Sequence, residues 1–321
     1  MSGDYRFFDL APVRVDMREE VLAGLRAPIK TIAPKYFYDE HGSQLFDAIT
    51  HLPEYYPTRT ETSLYEAHSK EIGEHFKGDV TLVEYGSGSS RKIRALLEGV
   101  RPAAYVPLDI SSEHLETSAK ALQADYEWLD IYAVCADYSG PFELPSEIPA
   151  KQVMAFFPGS SIGNFTPADA QEFLRRVRLV IGANGKLLIG IDRKKSPAEI
   201  EAAYNDAQGI TAAFNLNVLE HLNRELAGDF DTNNFRHVAN YNTKLGSLQM
   251  FLEAKRGHSV QLAGEMIEFA EGEQIHTENS FKYTPEEFVA MAQGAGFAEE
   301  WHITDNGDKF SVFLLAATSA V

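Results

Sequence analysis

The strongest constraint on the fold of this chain is a strand that ends in glycines and turns directly into a helix, followed by more strands at regular spacing. Val80-Thr81-Leu82-Val83-Glu84-Tyr85 reads as a strand, Gly86-Ser87-Gly88-Ser89-Ser90 as its turn, and Ile93-Arg94-Ala95-Leu96-Leu97 as a helix with one apolar side. Ala104 to Asp109 is a second strand with a crossover helix from Glu113 to Leu122, and Asp130 to Cys135 is a third. Val153 to Phe157 and Lys186 to Ile191 are a fourth and fifth, separated by a helix from Pro167 to Ile181. Alternation of this kind specifies an α/β fold with a parallel, Rossmann-like sheet.

The alternation stops at Ser196. A long helical stretch is expected from Pro197 to Arg224, and the runs 248–254 and 259–262 flank Arg256-Gly257, which reads as a hairpin turn. A helix at Pro285 to Gly294 and strand-like runs at 301–304 and 310–315 then resume the first pattern. The chain therefore reads as an α/β core, residues 61–195 plus 284–321, and a second α+β domain, residues 1–60 plus 196–283.

Charge and cysteine content narrow the partners. The formal net charge is −18, which repels a phosphate backbone, so nucleic acid is not expected; a cationic cofactor or an ammonium substrate meets an attractive field. The single cysteine, Cys135, leaves no intrachain disulfide and no multi-cysteine metal site, and the ten histidines show no metal-ligand spacing. No apolar run reaches the roughly 18 residues that span a bilayer, and no secretory signal opens the chain. A cytoplasmic protein with a small-molecule substrate, no metal, no membrane and no nucleic-acid partner is expected, with a monomer as the simplest state.

The strand ends point to a nucleoside. Glycines at the first turn let the backbone approach a ligand, and Asp109, about twenty residues on, can accept the two hydroxyl hydrogens of a ribose. Asp137 ends the third strand, where it can receive an adenine amino group. A dinucleotide fingerprint needs a third glycine where Arg91 stands, and Glu84 is ill placed beside a pyrophosphate but suits a cofactor bearing an ammonium and a sulfonium. S-adenosylmethionine is therefore favoured over a nicotinamide.

Two further segments are dense in functional side chains: Lys35 to Asp47, running on through Leu52-Pro53-Glu54-Tyr55-Tyr56-Pro57 to Glu61, and Phe157-Pro158-Gly159-Ser160-Ser161-Ile162-Gly163-Asn164-Phe165-Thr166-Pro167. With the strings Tyr204 to Asn215, Asn223 to Leu226 and Thr277-Glu278-Asn279-Ser280-Phe281-Lys282-Tyr283, they closely resemble the histidine N-α-methyltransferases of ergothioneine biosynthesis, from about residue 20 to the end. The resemblance implies a class I methyltransferase core plus a substrate domain, S-adenosylmethionine as methyl donor with S-adenosylhomocysteine as product, and trimethylation of histidine to its betaine, hercynine. It implies that Gly86 and Lys92 contact the cofactor, Asp109 the ribose, and Asp137 and Tyr138 the adenine end. It also implies that Asn164 and Tyr204 hold the α-amino and α-carboxylate groups and that Tyr38 hydrogen-bonds the amine, so Tyr38 and Asn164 are the catalytic candidates. The same resemblance implies that Tyr55, Glu278 and Ser280 surround the imidazole and that Phe46, Gly159 and Met250 line the pocket.

On a strand, Glu278 and Ser280 share a face and can serve both ring nitrogens; Glu278 is expected to favour a charged ring over a neutral one. Apolar residues at these two positions would instead favour a tryptophan-derived amine or another amino acid, which is the rival reading. A ligand-sensing protein without catalysis and a macromolecular methyltransferase are weaker alternatives. Cys135 reads as core packing, His114 and His221 as surface residues, Tyr56 as a packed turn, Glu54 as a cap, and Arg193-Lys194-Lys195 as a solvated strand end.

Overall fold

The computed structural model describes residues 3–10, 16–76, 78–88, 91–138, 140, 142–149 and 151–318, with the Arg91 side chain excepted. Ser89 and Ser90, at the end of the glycine turn, lie outside the described residues. The chain divides into two compact units: Met1–Val13, Pro57–Arg193 and Tyr283–Val321 form the first, and Arg14–Tyr56 and Lys194–Lys282 the second.

The first unit is built on an eight-stranded sheet. Its strands run in the order Tyr5–Asp9, Asp130–Cys135, Ala104–Asp109, Thr81–Tyr85, Val153–Phe157, Lys186–Asp192, Phe310–Ala317, Phe297–Thr304. The first six are mutually parallel, and the last two join antiparallel. The central strands Thr81–Tyr85 and Val153–Phe157 are buried at every residue, so both faces are covered, as parallel sheets require. Order reverses beside Thr81–Tyr85: chain progress moves to one side through Ala104–Asp109 and then to the other through Val153–Phe157. This is the switch point at which open α/β sheets bind ligands.

Helix starts in this unit are written locally. Thr166 Oγ1 accepts from Asp169 N ahead of Pro167, and Thr284 forms a capping box with Glu287 ahead of Pro285. Residues 5–9, which sequence places in the second domain, instead form an edge strand parallel to Asp130–Cys135. Five residues without strict alternation carry no sheet signal of their own; pairing with an open edge supplies it.

The second unit packs helices Met17–Arg26, Glu40–Thr50, Pro197–Tyr204 and Ile210–Leu226 with a four-stranded sheet ordered Lys30–Thr31, Gln274–Phe281, Ser247–Ala254, Phe235–Asn242. Its core includes Phe37, Tyr55, Phe214, Leu219, Leu252 and Ile275. Two sequence expectations change here. The single helix from Pro197 to Arg224 is two helices, because Asp206 turns its carboxylate onto the amides of Ile210 (2.9 Å) and Thr211 (2.8 Å) and starts a new one. The hairpin at Arg256-Gly257 does not form: Ser247–Ala254 pairs with Phe235–Asn242 and Gln274–Phe281, while His258–Leu262 turns through Ala263-Gly264 onto Glu265–Phe269.

Candidate active site

In the first unit, the cofactor candidates Gly86, Asp109, Asp137 and Tyr138 and the substrate candidates Gly159 and Asn164 follow the carboxyl ends of neighbouring parallel strands, hence one edge of the sheet, while Lys92 lies in the helix Arg91–Val100 after the glycine turn. Gly86 follows Thr81–Tyr85, Asp109 ends Ala104–Asp109, Asp137 and Tyr138 follow Asp130–Cys135, and Gly159 with Asn164 follow Val153–Phe157. Gly86 has φ +72°, and a β-carbon there would sit 2.9 Å from the Tyr138 hydroxyl. Glycine is thus needed twice, for its backbone angle and for Tyr138 to lie over the turn. The Tyr138 ring packs edge-on to Tyr85, at 5.7 Å between centroids.

The electrostatics at this edge suit a cation with a sugar. Asp109 is half-buried; burial pushes its pKa up, while amide hydrogens of Ser111, Gly88 and Ile110 pull it back. Glu84 is buried and accepts from the Tyr105 hydroxyl. Burial lifts its pKa to about 8, so a positive charge brought to this turn favours its ionised form. A ribose acceptor, a backbone turn that admits close approach and two acidic groups are a donor and acceptor set that fits S-adenosylmethionine. Asp137 and Asn164 are half-buried at the same edge.

One residue of this region was quoted in the sequence strings but given no role. Glu61 is fully buried and collects three donors: Lys92 Nζ at 2.7 Å, the Tyr65 hydroxyl at 2.8 Å, and the Gly159 amide at 2.9 Å from both carboxylate oxygens. It ties Lys92, in the helix after the glycine turn, to Gly159; a β-carbon on Gly159 would lie 3.0 Å from Lys92 Nζ. A β-carbon on Gly190 would lie 2.1 Å from Glu61 Oε1, so glycine there makes room for the carboxylate. Only Tyr65, one turn along the same helix, is a local partner of Glu61; Lys92 and Gly159 come from distant segments, so no local pattern marks this hub. A cavity of about 560 Å³, lined by Asp79, Gln152, Asn184 and Lys186 among others, opens at the amino ends of these strands and contains none of these groups.

In the second unit, the substrate candidates Tyr38, Phe46, Tyr55 and Tyr204 gather in an aromatic cluster. Phe46 meets Tyr38 at 5.7 Å, Tyr55 at 6.4 Å and Phe214 at 5.9 Å, and Tyr55 meets Tyr204 at 6.1 Å. Tyr38 is 44% exposed, with its ring held edge-on by Phe46 and Phe214. Asp39 fixes the adjoining backbone, capping the helix Glu40–Thr50 through Gly42 N while receiving Arg224 and Asn217.

Glu278 lies opposite Met250 in the sheet, just past a bulge at Thr277. Beyond the bulge, alternation puts Glu278 and Ser280 on one face, and Lys282, just past the end of the strand, reaches back to Ser280. Glu278 is only 9% exposed, yet it has no hydrogen-bond or ion-pair partner among the described residues. Burial raises its pKa to about 7, opposed by the charge of Lys282. Ser280 accepts from the Tyr204 hydroxyl at 2.9 Å and from Lys282 Nζ at 2.8 Å. A buried carboxylate left open beside a bonded hydroxyl is costly in a folded protein and calls for a ligand that donates to it.

Several residues read as bland are engaged. Lys195 stacks its ammonium 4.5 Å from the Tyr56 ring centroid and donates to its hydroxyl at 2.7 Å, so this part of the basic cluster is not simply solvated. His221 is half-buried, with Nδ1 2.7 Å from the Tyr36 carbonyl oxygen. Cys135 is buried in its strand. Among the described residues no group of three or more His, Cys, Asp or Glu is placed to hold a metal, and no helix is long and apolar enough to cross a membrane.

Comparison with known proteins identifies the family. The chain is 42% identical to the histidine N-alpha-methyltransferase of Mycolicibacterium smegmatis over 93% of its own length and 94% of that protein. It is 32% identical to ergothioneine biosynthesis protein 1 of Neurospora crassa over 95% of its length but 35% of that larger protein. It is 27% identical to the L-tryptophan methyltransferase trpM of Psilocybe serbica over 94% and 93%. A family model described as histidine-specific methyltransferase, SAM-dependent, matches residues 17–317, and the chain belongs to that family of S-adenosylmethionine-dependent enzymes.

Proposed function

We propose that this enzyme methylates the α-amino nitrogen of free L-histidine three times in succession, giving the trimethyl betaine used in ergothioneine biosynthesis. The observation that carries the choice of substrate is Glu278, a nearly buried carboxylate with no partner among the described residues, sharing a strand face with Ser280. An imidazole offers the matching donor and acceptor. A tryptophan-type side chain has one ring N–H and no bare ring nitrogen, which leaves a polar group of this pair unpaired, at about 1–3 kcal/mol. The high identity to a histidine N-alpha-methyltransferase supports the same reading.

S-adenosylmethionine supplies an electrophilic methyl group on a sulfonium, and the chain's residues hold the acceptor in its neutral form. Asp109 receives the ribose hydroxyls, Asp137 and Tyr138 serve the adenine end, and Gly86 and Lys92 complete the cofactor contacts. Asn164 and Tyr204 fix the α-amino and α-carboxylate groups, with Gly159 and Met250 as lining. Tyr38 orients the amine lone pair. Positioning of the reactants lowers the barrier by on the order of 7–11 kcal/mol. As methyl groups accumulate the nitrogen becomes a permanent cation, which the aromatic faces of Tyr38, Phe46 and Tyr55 stabilise by about 0.5–2 kcal/mol each. The enzyme acts as a cytoplasmic monomer on a small molecule.

The test is the product of a reaction with histidine and excess cofactor, examined by NMR. Methyl protons correlating with the α-carbon, at nine protons per molecule, support the proposal; methyl groups on a ring nitrogen overturn it.

A further inference from the structure

Ser280, Tyr204 and Lys282 hydrogen-bond to one another. Lys282 is 1% exposed; its Nζ lies 2.8 Å from Ser280 Oγ and 3.2 Å from the Tyr204 hydroxyl. The Tyr204 hydroxyl in turn donates to Ser280 Oγ at 2.9 Å. An ammonium has hydrogens and no lone pair, so Lys282 can only donate. A serine oxygen has two lone pairs and one hydrogen. Lys282 and Tyr204 occupy both lone pairs of Ser280, and only its hydrogen remains for another partner.

Glu278, two residues earlier on the same face, is acceptor-only as a carboxylate. With Glu278 ionised, the form that Lys282 and an approaching N–H donor both favour, the pair presents one fixed donor and one acceptor. A neutral imidazole has one N–H and one bare nitrogen; an imidazolium has two N–H groups and nothing to receive the Ser280 hydrogen.

We propose that Lys282 is a specificity-determining residue that sets the polarity of the ring site, holding Ser280 as an obligatory donor so that histidine is accepted only with a neutral ring, its N–H toward Glu278 and its bare nitrogen toward Ser280. This rests on the reading that Glu278 and Ser280 meet the imidazole, and it reverses the expectation that Glu278 selects a charged ring. The ionisable groups that contacts place around Ser280 within this unit are Lys282, Glu278, Tyr204 and, against the Tyr204 ring, Tyr55; His237 lies behind, 2.9 Å from the Tyr204 carbonyl oxygen. Lys282 also draws Glu278 toward its ionised, accepting form against the effect of burial.

The experiment compares L-histidine with 2-fluoro-L-histidine, whose electron-poor ring stays neutral, by calorimetric titration of the full chain at pH 6 with S-adenosylhomocysteine present. Repeating each titration in two buffers of different ionisation heat gives the protons exchanged on binding. The difference between ligands cancels protons exchanged by Glu278, Lys282 and the α-amine. At an ordinary imidazole pKa of about 6.5, roughly three quarters of free histidine rings are protonated at pH 6. The proposal expects histidine to release about 0.7 proton more than the fluorinated ligand, and Lys282→Met, which frees a lone pair on Ser280, to bring that difference toward zero. Equal exchange by the two ligands, or more proton uptake with histidine than with the fluorinated ligand, overturns it in the wild-type protein alone, whether or not Lys282→Met folds. Glu278→Ala and Ser280→Ala separate the premise: if both leave histidine affinity within twofold of wild type, the ring-site reading fails and takes the proposal with it. If they weaken binding while the proton difference is absent, only the role of Lys282 fails.

Discussion

Glu61→Ala should destabilise the first unit far more than its position in an ordinary helix implies. The carboxylate is fully buried and is the shared acceptor for Lys92, the Gly159 amide and the Tyr65 hydroxyl. Its removal leaves a largely buried ammonium without this counter-charge, which costs about 3–5 kcal/mol. An orphaned buried neutral donor costs about 1–3 kcal/mol where water cannot enter. Water admitted to the vacated space offsets part of this, so a loss of about 4 kcal/mol is expected. The two tryptophans, Trp128 and Trp301, both belong to the first unit, so their fluorescence during urea unfolding reports on the unit that holds Glu61. With a slope of about 3 kcal/mol per molar, the midpoint falls by about 1.3 M. Glu61→Gln keeps one acceptor oxygen and should lose about half as much. Removing both charges, in Glu61→Ala with Lys92→Met, should recover part of the loss. A midpoint within about 0.2 M of wild type for Glu61→Ala, far short of the expected shift, refutes the assignment of Glu61 as the hub.

Other consequences are more local. Glu278→Ala removes a charged hydrogen bond worth about 1.5–3 kcal/mol and should weaken histidine binding by roughly 10- to 150-fold with little change in cofactor affinity; equal losses in separate titrations count against its ring contact. Asp109→Ala should do the converse, with roughly tenfold or greater loss of cofactor affinity and near-normal histidine binding. Gly86→Ala adds strain of about 1–2 kcal/mol from its positive φ and a close approach to the Tyr138 hydroxyl. Tyr138→Phe in that background should restore cofactor binding only in part; full restoration would show that the backbone angle carries no cost. Burial lifts Glu84 to about 8 and Glu278 to about 7, above the ordinary value near 4.3, so the folded chain holds more protons than the unfolded one across this window. Stability without ligand should therefore fall as pH rises from about 5 to 8. Glu84→Gln should flatten the decline in thermal midpoint, and an unchanged slope would contradict the burial effect.

The sequence made the core of the first unit legible because its information is local. Apolar runs bounded by glycine or aspartate reveal strand and turn together, and Thr166-Pro167 and Thr284-Pro285 announce helices. What it concealed is non-local. Tyr5–Asp9 becomes a strand only because an edge is open to it. The break between Pro197–Tyr204 and Ile210–Leu226 depends on the Asp206 carboxylate bonding forward onto two amides, which periodicity does not register. The shared face of Glu278 and Ser280 follows from period two, but the bulge at Thr277 that precedes them does not. Glu61 escaped for the same reason: its meaning lies in Lys92, Gly159 and Gly190, each from a different segment. The family strings name most candidate ligands but not the role of Lys282, which lies in the lone pairs of Ser280 that it and Tyr204 occupy.

The central claim is that the acceptor is the α-amine of histidine, chosen through its ring. Its most direct test is a competition in which the enzyme, excess S-adenosylmethionine and the twenty amino acids at equal concentration, with tryptamine added, are incubated together and read by mass spectrometry over time. The account predicts mass gains of one, two and three methyl groups on histidine alone, with the trimethylated species accumulating last. Methyl groups appearing on tryptophan, tryptamine or another amine while histidine stays unmodified would contradict it.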